Sequence, residues 1–226
     1  FNFRNKKIKW DNKIIAVYGS SHVSNQGYRK TDDRFEYNSV LALKTTKRWY
    51  FSFFTNLITQ FSRGFDYGQD PKKEVSSVFS PAYLGFGPGI LWRKNENMRV
   101  NIAPATSRFT FVSKPFSGQY GVPEGKTSTY GLGFNMSAFL KFQLMEELTM
   151  ENIIALYSNY LRNPQNVDVN WENLIAMKVN KYIAVSINTQ LLYDADVKVD
   201  TNGDGTADKA KIQFKEILGV GFSFKF

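Results

Sequence analysis

His22 is the single histidine of the chain, and its neighbours are those a hydrolase would use. Ser20 and Ser21 precede it, and Asp32 and Asp33 follow across a hairpin. A serine nucleophile needs an imidazole to take its proton and a carboxylate to orient the ring. Ser21, His22 and Asp33 are therefore the candidate set for a hydrolase at the rim of a β-barrel. Their spacing argues against it, because adjacent strand residues point to opposite faces. The expectation is a solvated loop histidine and no enzyme activity.

Asp200, Asn202, Asp204, Thr206 and Asp208 place oxygen ligands at alternate positions around Gly203 and Gly205. This matches the first half of a calcium loop. The place of the bidentate glutamate is taken by Lys211. The competing reading is an Asx-rich hairpin turn, since Asn-Gly and Asp-Gly are favoured there on conformational grounds alone. A calcium ion at this loop would be structural, and no other cofactor is expected.

A third set consists of Asp168, Glu172, Asp194 and Asp196 on neighbouring segments, interleaved with Lys178, Lys198, Lys211 and Lys215. Two of the carboxylates could serve as an acid/base pair. The alternation of signs reads more simply as an ion-paired network lining a lumen, because buried charge must be paired. The segment Gly85-Phe86-Gly87-Pro88-Gly89 is no phosphate loop, as neither a helix nor Lys-Ser/Thr follows. Small residues there would make room for a bulky neighbour.

The positions of these residues depend on the elements that carry them, and those elements have a period of two. Ile212, Phe214, Leu218, Val220, Phe222, Phe224 and Phe226 alternate with Lys211, Gln213, Lys215, Gly219, Gly221, Ser223 and Lys225, with Glu216 the one polar exception on the apolar face. Ile183 to Tyr193, Val167 to Val179, Leu132 to Leu144 and Trp49 to Phe61 alternate in the same way. Such patterns are half-buried strands. The reading gives about eleven strands, over residues 1–5, 8–20, 33–45, 48–62, 81–93, 97–112, 129–144, 148–162, 166–179, 182–199 and 209–226. Pro104 inside one of them predicts a bulge or bend. No stable helix is expected.

Connection lengths alternate as well. Short turns near residues 5–7, 45–47, 94–96, 145–147 and 180–181 face longer loops at 21–32, 63–80, 113–128 and 200–208, with Asn163-Pro164-Gln165 a short exception on the long side. That is the pattern of a bacterial outer-membrane barrel. Eleven strands would leave the first and last parallel, so the expectation is a single antiparallel transmembrane barrel over residues 1–226 with about twelve strands, at least one lying N-terminal to Phe1.

Composition narrows the alternatives. The 226 residues hold no Cys and one His, which excludes disulfide frameworks, thiolate chemistry and multi-histidine zinc sites. The 29 Lys and Arg against 20 Asp and Glu give +9, but they are spread along the chain, so nucleic acid is not an expected partner. Mean hydropathy is negative and no apolar run is long enough for a transmembrane helix, a test that barrel strands pass unseen. A soluble barrel would have its apolar face inward. Three features favour the inverse: polar faces bearing both signs of charge, Trp10, Trp49, Trp92, Tyr18, Tyr37, Tyr160 and Tyr193 near strand ends, and a C-terminal strand ending in Gly221, Phe222, Phe224 and Phe226. This ending resembles the signal read by barrel-assembly machineries. Lys6, Lys7, Lys47, Arg48, Arg93, Lys94 and Lys181 gather at the short turns, where they would meet anionic headgroups or act as ordinary solvated turn residues.

Several strings carry a further resemblance. Tyr28-Arg29-Lys30-Thr31-Asp32-Asp33, Trp49-Tyr50, Ser80-Pro81-Ala82-Tyr83-Leu84 and Ile102-Ala103-Pro104 are four of them; Asn163-Pro164-Gln165-Asn166, Val169-Asn170-Trp171-Glu172 and Gln213-Phe214-Lys215-Glu216 follow. Together they resemble, over essentially the whole chain, a Bacteroidota outer-membrane family catalogued as a domain of unknown function. The resemblance implies further N-terminal residues, including a Trp/Gly-rich segment, and brings no catalytic residue. The expected function is a non-enzymatic barrel in a Gram-negative outer membrane, with its C-terminus on the periplasmic side, serving as a structural or accessory subunit of a larger outer-membrane assembly. The alternative is a passive channel or transporter for a small solute. Expected partners are outer-membrane lipid, the assembly machinery, and other outer-membrane or periplasmic proteins.

Overall fold

A computed structural model describes residues 2–24, 27–68, 71–195, 198–199 and 209–222. It is all-β. Eleven strands form one antiparallel meander sheet in the order β1 (Phe3–Arg4), β2 (Ile8–Val23), β3 (Gly27–Lys44), β4 (Trp49–Thr59), β7 (Ala82–Asn95), β8 (Met98–Phe111), β9 (Ser128–Met145), β10 (Leu148–Asn159), β11 (Asp168–Lys178), β12 (Ile183–Tyr193) and β15 (Gln213–Phe222). Two-stranded pairs β5 (Gly64–Asp66) with β6 (Lys73–Ser76), and β13 (Lys198–Val199) with β14 (Lys209–Ala210), lie in long connections. Among the described residues the only helical element is the 3-10 turn Lys114–Phe116.

The eleven main strands follow the alternation, but the tenth, expected over 182–199, ends at Tyr193, and the eleventh, expected from 209, starts at Gln213, with 198–199 and 209–210 forming their own pair. The expected loop 63–80 carries the hairpin of β5 and β6, and a second loop differs more. Residues 21–32, expected as a long loop, are mostly ladder: Ser21 pairs with Arg29, His22 with Tyr28 and Val23 with Gly27. Pro104 behaves as expected. Buried positions change from Asn101 and Ala103 to Thr106 and Thr110 across Pro104 and Ala105, as one inserted residue makes them do.

Asparagine builds three of the short turns. Asn5 Oδ1 accepts the N–H groups of Lys7 (2.8 Å) and Ile8 (2.6 Å), Asn95 Oδ1 that of Asn97 (2.9 Å), and Asn180 Oδ1 those of Tyr182 (2.8 Å) and Ile183 (2.9 Å). A short amide side chain thus satisfies the donors that a tight reversal would strand.

On β3, β4 and β8 the usual burial is inverted, with polar residues on the buried side and apolar ones on the exposed side. On β4, Trp49, Phe51 and Phe53 are exposed, Phe51 by 63%, while Tyr50 and Ser52 are buried. On β8, Ile102 and Phe111 are exposed while Asn101, Thr106 and Thr110 are buried. On β3 the buried Glu36 takes Asn38 Nδ2 at 2.6 Å and pairs with Arg34, and Asn56 Nδ2 reaches Asn38 at 2.7 Å. On β9 and β10, Lys141 Nζ meets Glu151 at 2.7 Å. Polar side chains that fall on the apolar face satisfy one another there. Trp10 Nε1 donates to Ser39 Oγ (2.8 Å) and Tyr37 OH to Asn12 Oδ1 (2.8 Å). Asn152 Oδ1 accepts from Trp171 Nε1 (3.1 Å) and Asn173 Nδ2 (2.9 Å).

The chain divides into two compact units. The first comprises Phe1–Lys44, Phe51–Pro88 and Thr106–Leu132. Its exposed face carries an aromatic row in which Phe53 lies 6.2 Å from Phe86, Phe86 lies 6.1 Å from Phe109, and Phe109 lies 4.9 Å from Tyr130. The second comprises Thr45–Tyr50, Gly89–Ala105 and Gly133–Phe226. Within it, a Cβ on Gly133 would stand 2.1 Å from the Ser158 carbonyl oxygen and 3.0 Å from Tyr157. Backbone cannot yield cheaply, so Gly133→Ala is expected to cost about 1–3 kcal/mol or more, read as a lowered unfolding midpoint. Gly85→Ala is the contrast: nothing stands within 4 Å of its Cβ position, so midpoint and slope should stay unchanged. That open space also corrects the expectation that Gly85 makes room for a bulky neighbour.

Candidate functional site

The densest polar cluster lies in the first unit, where β3 meets the connection after β4. Asp33 Oδ1 accepts the Phe61 N–H at 2.8 Å. Its Oδ2 accepts the Ser62 N–H at 2.9 Å, the Ser62 hydroxyl at 2.7 Å and Lys30 Nζ at 2.9 Å. Lys30 Nζ also donates to Gln60 Oε1 and the Ser62 carbonyl, both at 3.1 Å. The side chain of Asp33 is 1% exposed and that of Lys30 16%.

The network runs on into the loops. Ser76 Oγ donates to Gln60 Oε1 (3.1 Å), and Gln60 Nε2 to the Ser80 carbonyl (2.7 Å). The Ser113 N–H reaches the fully buried Ser80 Oγ at 2.8 Å. Gly64 is needed beside this cluster, since a Cβ there would fall 2.4 Å from Ser76 Oγ. Val112, Phe116 and Val122 form a small apolar core next to Tyr120. Tyr120 adopts a left-handed φ of 56° and donates its hydroxyl to the Val75 carbonyl. Burial raises the pKa of this phenol above its ordinary value.

Chemically the cluster is saturated. An ammonium has three N–H donors, and Lys30 places all three on Asp33, Gln60 and Ser62. Asp33 has both oxygens occupied by donors. Three donors converge on Oδ2 and one on Oδ1. The arrangement is a lock that fastens residues 60–62 to β3.

The lock also holds Asp33 at a different level of the hairpin from His22. Asp33 lies opposite Tyr18, whereas His22 lies opposite Tyr28 and rests edge-on against its ring at 5.0 Å. The fold does not bring Ser21, His22 and Asp33 together. His22→Ala is therefore expected to change stability by less than about 1 kcal/mol, measured as the denaturant midpoint; a larger loss would reveal a contact that this pairing lacks.

The remaining sequence candidates fall as follows. Glu172, Gln190 and Lys215 occupy one cross-strand row through β11, β12 and β15. Gln190 Nε2 donates to Glu172 at 3.3 Å and to Asn170 at 3.0 Å. Asp168 accepts the Ala195 N–H at 3.3 Å, and Asp194 is half-buried beside it. Lys178, Lys211 and Lys215 are exposed. Gly221 lies opposite Ala184, and Phe222 is exposed opposite Ile183. The side chain of Lys198, Asp196, Phe224, Phe226 and the proposed calcium ligands Asp200, Asn202, Asp204, Thr206 and Asp208 lie outside the described residues. Among the described residues no group of three or more His, Cys, Asp or Glu could hold a metal ion. The Lys30–Asp33–Ser62 lock went unseen in the sequence. Lys30 and Asp33 are visible as a charged pair, but nothing local announces Ser62 as their partner.

Comparison with known proteins adds one likeness. A family model described as a protein of unknown function (DUF3078) matches residues 1–65. The match includes the strings at residues 28–33 and 49–50, and those at residues 80–84, 102–104 and beyond fall outside it. No curated protein matches the chain significantly.

Proposed function

We propose that this chain is a membrane-spanning β-barrel of the outer-membrane type that works without catalysis, as a structural or accessory subunit of a larger outer-membrane assembly. The observation that carries the reading is the inversion of the strand faces, with Trp49, Phe51 and Phe53 exposed and Tyr50 and Ser52 buried between them. In water such a face would be an unusually large apolar patch. In a bilayer it is the surface that lipid tails cover, and the mutual hydrogen bonds of Asn152, Asn173 and Trp171 are what that medium demands.

Strand length fits as well. A tilted spanning strand needs about 9–11 residues, and β4, β11 and β12 have 11 each. Since β1 and β15 of an eleven-strand meander run the same way, an antiparallel barrel requires one strand more. The short-turn end would face the periplasm of a Gram-negative cell, with Gly221 and Phe222 part of the segment read during assembly.

The test is isolation from native membranes in mild detergent. The accessory reading expects companions in fixed stoichiometry. A lone species that forms conducting steps in planar bilayers would overturn it for the second reading, a passive channel, which the polar residues Glu36, Asn38 and Asn56 on the buried face favour.

A further inference from the structure

Two short turns of the second unit stand side by side. The Arg93 N–H donates to the Arg48 carbonyl at 2.9 Å, which fixes the antiparallel register of β4 against β7. In that register Trp49 stands opposite Trp92, and Lys47 opposite Lys94. Trp49 is 49% exposed on the apolar face, Trp92 is half-buried, and Lys47, Arg48 and Lys94 are exposed. The fourth cation, Arg93, is buried and pairs with Glu96. The neighbouring connection between β9 and β10 carries Glu146 and Glu147 instead, while the β1–β2 turn carries Lys6 and Lys7 without a tryptophan pair.

We propose that this pair of turns is a docking site for an anionic phospholipid headgroup. The two indoles would sit at the level of the headgroups, where amphipathic rings are favoured, with Ile90 continuing the apolar face below them. Lys47 and Lys94, on the same strand face as the two indoles, then present cations to a phosphate whose charge no choline offsets. Charge complementarity at the turns thus joins an apolar face that lipid tails extend along. It rests on the membrane-spanning reading, and it names the lipid that the short-turn end selects.

The test uses the full chain with Trp10→Phe and Trp171→Phe, so that of the four tryptophans only Trp49 and Trp92 report. The protein is reconstituted into phosphatidylcholine vesicles that carry a minor fraction of brominated lipid. Brominated phosphatidylglycerol is expected to quench about twofold more than the same fraction of brominated phosphatidylcholine. Lys47→Gln with Lys94→Gln should bring the ratio to unity, while Lys47→Arg with Lys94→Arg should keep it. Equal quenching by the two lipids overturns the site and leaves the membrane reading standing. Quenching by neither overturns both.

Discussion

Ile187→Arg is expected to destabilise the protein in a bilayer by about 2–4 kcal/mol. Ile187 lies mid-strand on β12, between Ile175 of β11 and Leu218 of β15. All three belong to the apolar face, and Ile187 is 36% exposed to whatever surrounds it. If the surroundings are lipid tails, a guanidinium at this depth must reach an interface or draw water inward, and either costs energy. If the surroundings are water, the same substitution at a partly exposed site is close to neutral, within about 0.5 kcal/mol. Denaturant unfolding of vesicle-reconstituted protein separates the two outcomes. The control is Ser186→Arg one residue away, on the other face.

The second large effect is at the loop lock. Asp33→Ala removes the carboxylate on which the Phe61 and Ser62 N–H groups, the Ser62 hydroxyl and Lys30 converge. It leaves an ammonium with one partner fewer in a site that is 16% exposed. Breaking a buried pair on one side costs about 3–5 kcal/mol, far more than exchanging both partners for neutral groups. Asp33→Ala with Lys30→Met removes the stranded ammonium and should therefore recover part of the loss, a coupling that a double-mutant cycle with Lys30→Met alone reads directly. Limited proteolysis between residues 60 and 80 should quicken in Asp33→Ala and return toward the parent rate in the double variant. A single-variant loss under about 1 kcal/mol would mean that the segment is held by its apolar contacts, not by the carboxylate.

These two sites differ in how far the sequence announces them. The partners of Ile187 follow from alternation alone: Ile175, Ile187 and Leu218 are odd, odd and even members of three patterned strands, and each lands on the apolar face. Period two survives translation into structure because it is a property of the backbone. The lock does not follow, since Asp33 and Ser62 are 29 positions apart and their meeting depends on how β4 ends. The hairpin at residues 21–32 escapes the alternation for another reason. Both of its faces are polar, with His22, Arg29, Lys30 and Asp32 among them, so alternation vanishes while the ladder continues. A strand that extends past its apolar band looks like a loop. The same cause made Ser21, His22 and Asp33 look like neighbours, although pairing sets them at different levels.

Spectroscopic accessibility tests the central claim most directly. The chain has no cysteine, so single cysteines introduced along Ile183–Tyr193 can each carry a nitroxide. In phospholipid vesicles the account predicts a period of two: labels at the odd positions from Ile183 to Tyr193 collide with oxygen dissolved in the bilayer, and labels at Ala184, Ser186, Asn188 and Gln190 do not. Odd positions that respond instead to a water-soluble relaxation agent would contradict it.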